Sequence, residues 1–192
     1  MTVNVQYNLG FTLIELIVTL SVVALLLTIG IPGFRELISD NRMTTQYNDF
    51  VSALNSTRSE AIKRGMGVTI CKRNAAGGFC NNPGNWEDGW IIFTDPDRDG
   101  VVDTNANETI LGIHEALTGD NTLRASPTRH RITYNGQGFA RGFADTFKLC
   151  DSRGAANAKG LVISNNGRTR RAIDTNGDGI IDNGSGTSIT CP

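Results

Sequence analysis

The chain has 192 residues, of which 39% are hydrophobic and 19% are charged, and its formal net charge is −1. These values exclude a disordered polymer, a protein embedded in lipid along its whole length, and bulk polyelectrolyte behaviour. Two histidines are too few for a histidine-built metal centre, whereas four cysteines are enough for two disulfides in an oxidising compartment.

An apolar run extends from Phe11 to Ile31 and is interrupted by one charge, Glu15. About 21 residues at about 1.5 Å each cover about 31 Å, the thickness of a bilayer's hydrocarbon core. A cleaved secretory signal is the alternative. Such a signal has a basic start, a shorter apolar core and a small-x-small exit, and this sequence has none of these features. The run therefore predicts a membrane-spanning helix. Glu15 is then either an interfacial acid or a buried acid that needs a cationic partner.

The heptapeptide GFTLIEL at residues 10–16, with the apolar run after it, resembles the processing and assembly segment of type IV pilins and type II secretion pseudopilins. In that family a prepilin peptidase cuts after the glycine and methylates the new terminal phenylalanine. The resemblance implies a leader over 1–10 that is cleaved after Gly10, with Phe11 as the methylated terminus. It implies an assembly helix over 11–32, in which Glu15 pairs with the terminal amine of a neighbouring subunit. The implied partners are other major and minor pilins, the peptidase and the inner membrane.

Apolar residues continue at helical spacing beyond Phe34. The residues that recur three, four or seven positions apart are Tyr47, Phe50, Val51, Leu54, Ala61 and Ile62. This spacing is typical of one apolar stripe on an amphipathic helix, and Gly65 is a natural stop. We therefore expect residues 33–65 to form the amphipathic half of the same long helix, with the stripe in a core.

After Gly65 the pattern changes to short β-type runs separated by Gly, Asn and Asp. These runs cover 68–70, 90–93, 109–111, 131–134, 146–149 and 161–164. They predict an α+β class, with the long helix packed against an antiparallel sheet in a β-rich head over 66–192. The segments 60–62, 88–93 and 167–170 resemble the head of GspH-type pseudopilins and FimU/FimT-type minor pilins, which implies a pilin-like fold.

The four cysteines allow three pairings. We favour Cys71 with Cys80 and Cys150 with Cys191, because pairing near neighbours keeps each bond local. A zinc site is the alternative, but the sequence has no C-x-x-C and few histidines. Disulfides predict a head that is exported to the periplasm or the cell surface.

Charge is segregated along the chain. Residues 75–122 contain nine acidic and one basic residue, and residues 123–171 contain ten basic and two acidic residues. Patches of opposite sign predict head-to-tail packing with another subunit or a separate partner for each patch.

Two acidic stretches fit D-x-[DN]-x-D-G-x-x-D, the first nine positions of a calcium loop. The candidate ligands are Asp95, Asp97, Asp99 and Asp103 in the first loop and Asp174, Asn176, Asp178 and Asp182 in the second. Ala106 and Ser185 stand where the twelfth position would place a bidentate glutamate. Ca²⁺ is therefore a candidate cofactor in the weak extracellular range, and an Asp/Asn/Gly turn is the alternative.

The basic stretch ends in Gly167-Arg168-Thr169-Arg170-Arg171. Alternation along a strand would put Arg168 and Arg170 on one face, where guanidinium groups can bind phosphates without reading sequence. The G-R-x-R motif resembles one associated with DNA binding in FimT-type pilins, which implies DNA as a partner of Arg168, Arg170 and Arg171. Residues that would enlarge such a patch are Arg124, Arg129, Arg131, Arg141, Lys148 and Lys159. A solvated strand, or a contact with the acidic loops of the next subunit, is the alternative.

Catalytic patterns are missing from the sequence, which has no H-E-x-x-H, G-x-S-x-G or P-loop, so we expect no enzyme. The family resemblance implies a minor pilin of a type IV pilus that primes the filament or lies near its tip. Before assembly it would be held in the inner membrane by a single helix, with a periplasmic head. A pseudopilin of type II secretion and a DNA-binding minor pilin for natural transformation are the alternatives.

Overall fold

The computed structural model describes residues 10–73, 80, 84–103 and 108–192. The predicted leader lies outside these residues except for Gly10. The chain divides into two compact units between Asn41 and Arg42. One helix, α1 (Leu13–Arg64), begins in the first unit and ends in the second.

Both ends of α1 are capped by groups that the sequence provides. At the start, the Thr12 hydroxyl accepts the Glu15 N–H at 3.3 Å, and the Thr12 carbonyl accepts the Leu16 N–H at 3.2 Å. At the end, Gly65 adopts φ +68° and donates its N–H to the Ala61 carbonyl at 2.9 Å. Glycine accepts this left-handed conformation without strain, so the predicted stop at Gly65 is confirmed.

The second unit contains two antiparallel sheets of four strands each. The strands are β1 (Val68–Lys72), β2 (Trp90–Thr94), β3 (Ile110–His114), β4 (Thr122–Arg124), β5 (Arg131–Tyr134), β6 (Asp145–Cys150), β7 (Lys159–Ile163) and β8 (Thr169–Arg171), with 3-10 turns at Trp86–Asp88 and Ala155–Asn157. The strand orders are β3-β2-β1-β5 and β4-β6-β7-β8. The α+β prediction is confirmed, while β4 and β8 are three-residue strands that are too short to show an alternating pattern.

The core forms where α1 meets both sheets, and Phe50 is at its centre. The Phe50 ring centroid lies 5.1 Å from that of Trp90 on the first sheet and 4.9 Å from that of Phe147 on the second. Trp86 completes the group, 5.6 Å from Phe50 and 5.1 Å from Phe147. One helical side chain therefore joins the two sheets.

The buried face of α1 differs from the predicted stripe near its C-terminal end. Phe50, Leu54 and Ala61 are buried as expected, but Ile62 is 51% exposed, so its predicted place in the core is wrong. The reason is geometric, because a residue next to Ala61 is rotated by about 100° around the helix. The remaining buried positions on this face belong to Met43, Gln46 and Thr57. Two of these are polar, so a search for apolar spacing misses them.

Two disulfides hold the second unit, and they join the near neighbours. Cys71 on β1 is bonded to Cys80 with Cα atoms 5.2 Å apart, and Cys150 on β6 is bonded to Cys191 with Cα atoms 5.9 Å apart. The second bond ties the C-terminal segment to the second sheet, where Ile189 packs beside Cys150. By loop-closure arithmetic the first bond stabilises the fold by about 2–3 kcal/mol and the second, which closes the longer loop, by about 4 kcal/mol.

Candidate functional site

The first unit presents an apolar surface that none of the described residues covers. The side chains from Phe11 to Thr28 are all exposed, although most of them are apolar. Among the described residues, α1 is the one helix long and apolar enough to cross a membrane. This surface needs lipid or other helices to exclude water.

The hydroxyl groups within this apolar stretch bond to the helix itself. Thr19 donates to the Leu16 carbonyl at 2.9 Å, and Ser21 donates to the Ile17 carbonyl at 2.7 Å. Thr28 donates to a carbonyl one turn back in the same way, at 2.7 Å. Hydroxyl donors satisfied in this manner carry little cost in an apolar environment.

Glu15 lies in the first turn of α1, three residues after its cap. Thr12 and Glu15 form the T-x-x-E pattern of a capping box, a signal that was present in the sequence but not used in our prediction. Of this box the structure shows the bond from the Glu15 N–H to the Thr12 hydroxyl. Glu15 therefore lies at the positive end of the helix dipole, four residues after Phe11.

The first acidic loop brings three of its four predicted ligands together and adds one that was not predicted. One carboxylate oxygen each from Asp95, Asp97, Asp99 and Glu108 lie within 4.8 Å of one another. Asp103 instead donates its backbone N–H to Glu108 Oε2 at 2.7 Å. Burial raises the pKa of Asp95, and burial together with the neighbouring aspartates raises the pKa of Glu108.

The second acidic loop uses its oxygens differently. Asp174 accepts the N–H groups of Gly177 at 2.7 Å and Gly179 at 2.8 Å. Asp178 accepts the Ile180 N–H at 2.8 Å and the Ser188 hydroxyl at 2.7 Å, and the hydroxyl bond lowers the pKa of Asp178. These bonds form the Asp/Asn/Gly turn that was the alternative to a metal loop. Asn176 and Asp182 take part in the same turn through Asp178 and Thr175.

The three arginines of the G-R-x-R-R segment are exposed, but they do not share one face. Strand β8 pairs Arg170 with Val162 and Arg171 with Leu161. Leu161 is 3% exposed and belongs to the core, so Arg171 points toward the helix side and Arg170 points to the outer face of the sheet. Arg168 lies two residues before Arg170, so the two share a face of the strand. Arg168 directly follows a turn at Gly167, which has φ +74°.

Arg170 lines a cleft of about 830 Å³ on the outer face of the second sheet. Lys148, from the centre of that sheet, lines the same cleft. Arg171 lies near Tyr47 on α1, where its charge opposes the burial that raises the pKa of Tyr47. The structure therefore joins Arg170 with Lys148 and separates both from Arg171.

The other basic residues of the predicted patch do not line this cleft, and each is held elsewhere. Two of them form ion pairs, Arg124 with Glu87 at 2.5 Å and Arg129 with Asp145 at 3.1 Å. Arg131 donates to the Arg98 and Asp99 carbonyls. Arg141 lies over the Phe139 ring, and Lys159 donates to the Thr44 hydroxyl. The basic residues that cluster in the sequence therefore do not form one continuous basic surface, because some of them form ion pairs with acidic residues of the head.

Comparison with known proteins is consistent with this geometry. A family model described as "Type II transport protein GspH" matches residues 46–167, and one described as "Prokaryotic N-terminal methylation motif" matches residues 6–31. A crystal structure of the type IV minor pilin FimU from Pseudomonas aeruginosa is similar, with a TM-score of 0.55 and 18% identity over 70% of this chain and 91% of that one. A second crystal form of FimU gives a TM-score of 0.52 and 17% identity over 67% and 90% of the two chains. No curated protein sequence matches the chain.

The first of these matches covers more than half of the 192 residues and includes the amphipathic end of α1 and most of both sheets. The second covers the apolar run and the residues around Gly10. The chain therefore belongs to the GspH family, within the superfamily of type IV pilins and pseudopilins.

Proposed function

We propose that this chain is a minor pilin of a type IV pilus that primes the filament or lies near its tip. The inner membrane holds its N-terminal helix before assembly, and the head lies in the periplasm. The observation that carries the proposal is the uncovered apolar surface of α1 with a carboxylate in its first turn. A filament of packed helices would cover this surface as lipid does.

Cleavage after Gly10 supplies the partner that Glu15 needs. The new amine of Phe11 is a cation four residues before Glu15, close to the start of α1. In a lipid-like environment an unpaired carboxylate costs about 2.5–3.5 kcal/mol, which gives the pairing of Glu15 with a neighbouring subunit's amine a physical basis. The prepilin peptidase is the enzyme that would cut this bond and methylate the amine.

A pseudopilin of type II secretion has the same architecture and is the alternative. We expect a C-terminally tagged full-length chain, crosslinked in its own cells and purified, to bring with it major and minor pilins. Untagged cells treated in the same way provide the control. Recovery of secretion-system pseudopilins in place of pilus subunits, measured by mass spectrometry, would contradict the pilus assignment.

A second candidate function, DNA binding for natural transformation, is favoured by the cleft that Arg170 and Lys148 line. Two cations that line one cleft on the outer face of a sheet can bind neighbouring phosphates. Arg168 extends this surface along the same face of the strand.

Replacing both Arg168 and Arg170 with alanine should weaken the binding of duplex DNA by the full-length chain in detergent micelles. Each phosphate contact contributes about 0.9 to the slope of log K against log salt, so the slope should fall by about 2. Arg171→Ala is the matched control, because Arg171 lies on the opposite face. Equal slopes for the wild type and the double variant, measured by fluorescence anisotropy, would remove this surface from the proposal.

A further inference from the structure

The acidic tip of the β2–β3 hairpin contains a carboxylate that the fold buries and leaves partly unbonded. Asp95 has 0% of its surface exposed. Its Oδ2 accepts the Thr69 hydroxyl at 2.5 Å, but its Oδ1 has no hydrogen-bond partner. A buried charged oxygen without a partner costs more than a net hydrogen bond returns, so its presence points to a missing ligand.

Asp95 is held firmly by strands on two sides. Its backbone N–H donates to the Gly67 carbonyl at 2.9 Å, at the start of β1. The Thr69 hydroxyl lies 2.6 Å from that of Thr133 on β5. Because Thr69 uses its single O–H to donate to Asp95, Thr133 is the donor in the bond between the two hydroxyls, and Thr69 is the acceptor. This chain of side-chain bonds holds Oδ2 of Asp95 and leaves Oδ1 as the oxygen available to a ligand.

A bulge brings Glu108 opposite Asp95. Strand β2 pairs with β3 as Ile92 with Gly112 and then as Phe93 with Ile110, so Leu111 is the extra residue. The new register continues through Thr94, whose N–H donates to the Thr109 carbonyl at 3.0 Å. Continued by one residue beyond this bond, the register sets Glu108 opposite Asp95, which agrees with the closeness of their carboxylates. Without the extra residue, Thr109 would occupy this place and no carboxylate would face Asp95.

The four carboxylates lack counter-charges on their own side. No lysine or arginine among the described residues forms an ion pair with Asp95, Asp97, Asp99 or Glu108. Arg131 contacts the loop through its backbone, by donating to the Arg98 and Asp99 carbonyls. Glu108 Oε1 is buried and has no hydrogen-bond partner. Two acceptor oxygens are thus available within one cluster of negative charge.

We propose that Asp95, Asp97, Asp99 and Glu108 bind one Ca²⁺ ion at the tip of the β2–β3 hairpin. Glu108 thereby replaces the glutamate that the loop pattern lacks at position 106, which lies outside the described residues. Ca²⁺ takes oxygen ligands at about 2.3–2.6 Å, so opposite ligands lie about 4.6–5.2 Å apart, whereas for Mg²⁺ they lie about 4.0–4.2 Å apart. Ligand atoms within 4.8 Å of one another can share one ion of either size, but Mg²⁺ usually keeps several waters and takes only one or two carboxylates. A cluster of four carboxylates therefore favours Ca²⁺.

This proposal is independent of the pilus role, because it rests on the loop alone. The bound ion would join Glu108 to Asp95 and, through Thr69, lock the hairpin tip to β1. The second loop provides the contrast, since its carboxylates do not form such a group and both oxygens of Asp178 accept hydrogen bonds.

Calorimetric titration of Ca²⁺ into the full-length chain, purified in detergent micelles and treated with EDTA, tests the site. We expect saturable binding of one ion with a Kd of about 10⁻⁴–10⁻³ M and a rise in Tm at millimolar Ca²⁺. Mg²⁺ should bind at least about tenfold more weakly. Asp97→Asn and Glu108→Gln should each weaken Ca²⁺ binding about tenfold or more, because each removes a charged ligand at a position less buried than Asp95.

Asp178→Asn is the matched control and should bind Ca²⁺ as the wild type does. Absence of binding by the wild type would overturn the proposal, and so would wild-type affinity in both Asp97→Asn and Glu108→Gln. Loss of binding confined to Asp178→Asn would move the ion to the second loop and would equally overturn it. Equal affinity for Mg²⁺ would contradict the preference for Ca²⁺ argued from the four carboxylate ligands.

Discussion

Replacing Glu15 with glutamine should leave the chain cleaved and inserted in the membrane but absent from sheared filaments. The change keeps the shape of the side chain and removes the charge that would pair with the Phe11 amine of a neighbour. Leaving one member of a buried ion pair alone costs about 3–5 kcal/mol. Incorporation should therefore fall by about a hundredfold or more. Immunoblots of sheared filaments and of membranes measure the two pools.

Glu36→Gln is the control for this prediction. Glu36 is also an exposed acid on α1, but it lies beyond the apolar run. The control should enter filaments as the wild type does. Normal incorporation of Glu15→Gln would show that the charge pair has no role in assembly, whereas equal loss in both variants would show that the effect is not specific to the first turn.

Replacing Phe50 with alanine should destabilise the head by about 3–5 kcal/mol, the range for truncating a buried aromatic side chain. Phe50 contacts aromatic rings from both sheets, so its removal leaves a cavity that neither sheet can close alone. Such a loss is a large fraction of the stability of a small domain. Urea unfolding of the full-length chain in detergent micelles, followed by fluorescence of Trp86 and Trp90, measures it.

Ile62→Ala is the matched control, since the sequence places Ile62 in the same stripe while the structure leaves it 51% exposed. Its loss should be below about 1 kcal/mol. Similar losses for Phe50→Ala and Ile62→Ala would contradict the observed orientation of α1 against the sheets.

Local patterns along the chain were sufficient to predict the elements whose cause is local. The apolar run, the Gly65 stop and the longer strands follow from composition and spacing. Apolar spacing alone could not predict that Ile62 is exposed, or that the polar residue Thr57 lies in the core. Thr57 satisfies its hydroxyl by donating to the Ala53 carbonyl at 2.7 Å, and burial then costs little.

The acidic loops show why a site is harder to predict than an element. The spacing of Asp95, Asp97 and Asp99 predicted three of the four cluster residues, but Glu108 enters through a register shift between two strands. A bulge is a property of strand pairing, and a single sequence does not reveal it. A similar limit applies to the arginines of β8. Alternation separates Arg171 from Arg170 in the sequence already, but which of them faces outward is known only from the pairing of β8 with the core residues of β7.

The identity of the first residue in filament-borne chains tests the account most directly. Mass spectrometry of the subunit from sheared filaments should find a chain that begins at Phe11 with a methylated amine. An intact bond between Gly10 and Phe11, in a chain confined to membranes and never recovered with filaments, would contradict the role proposed for α1.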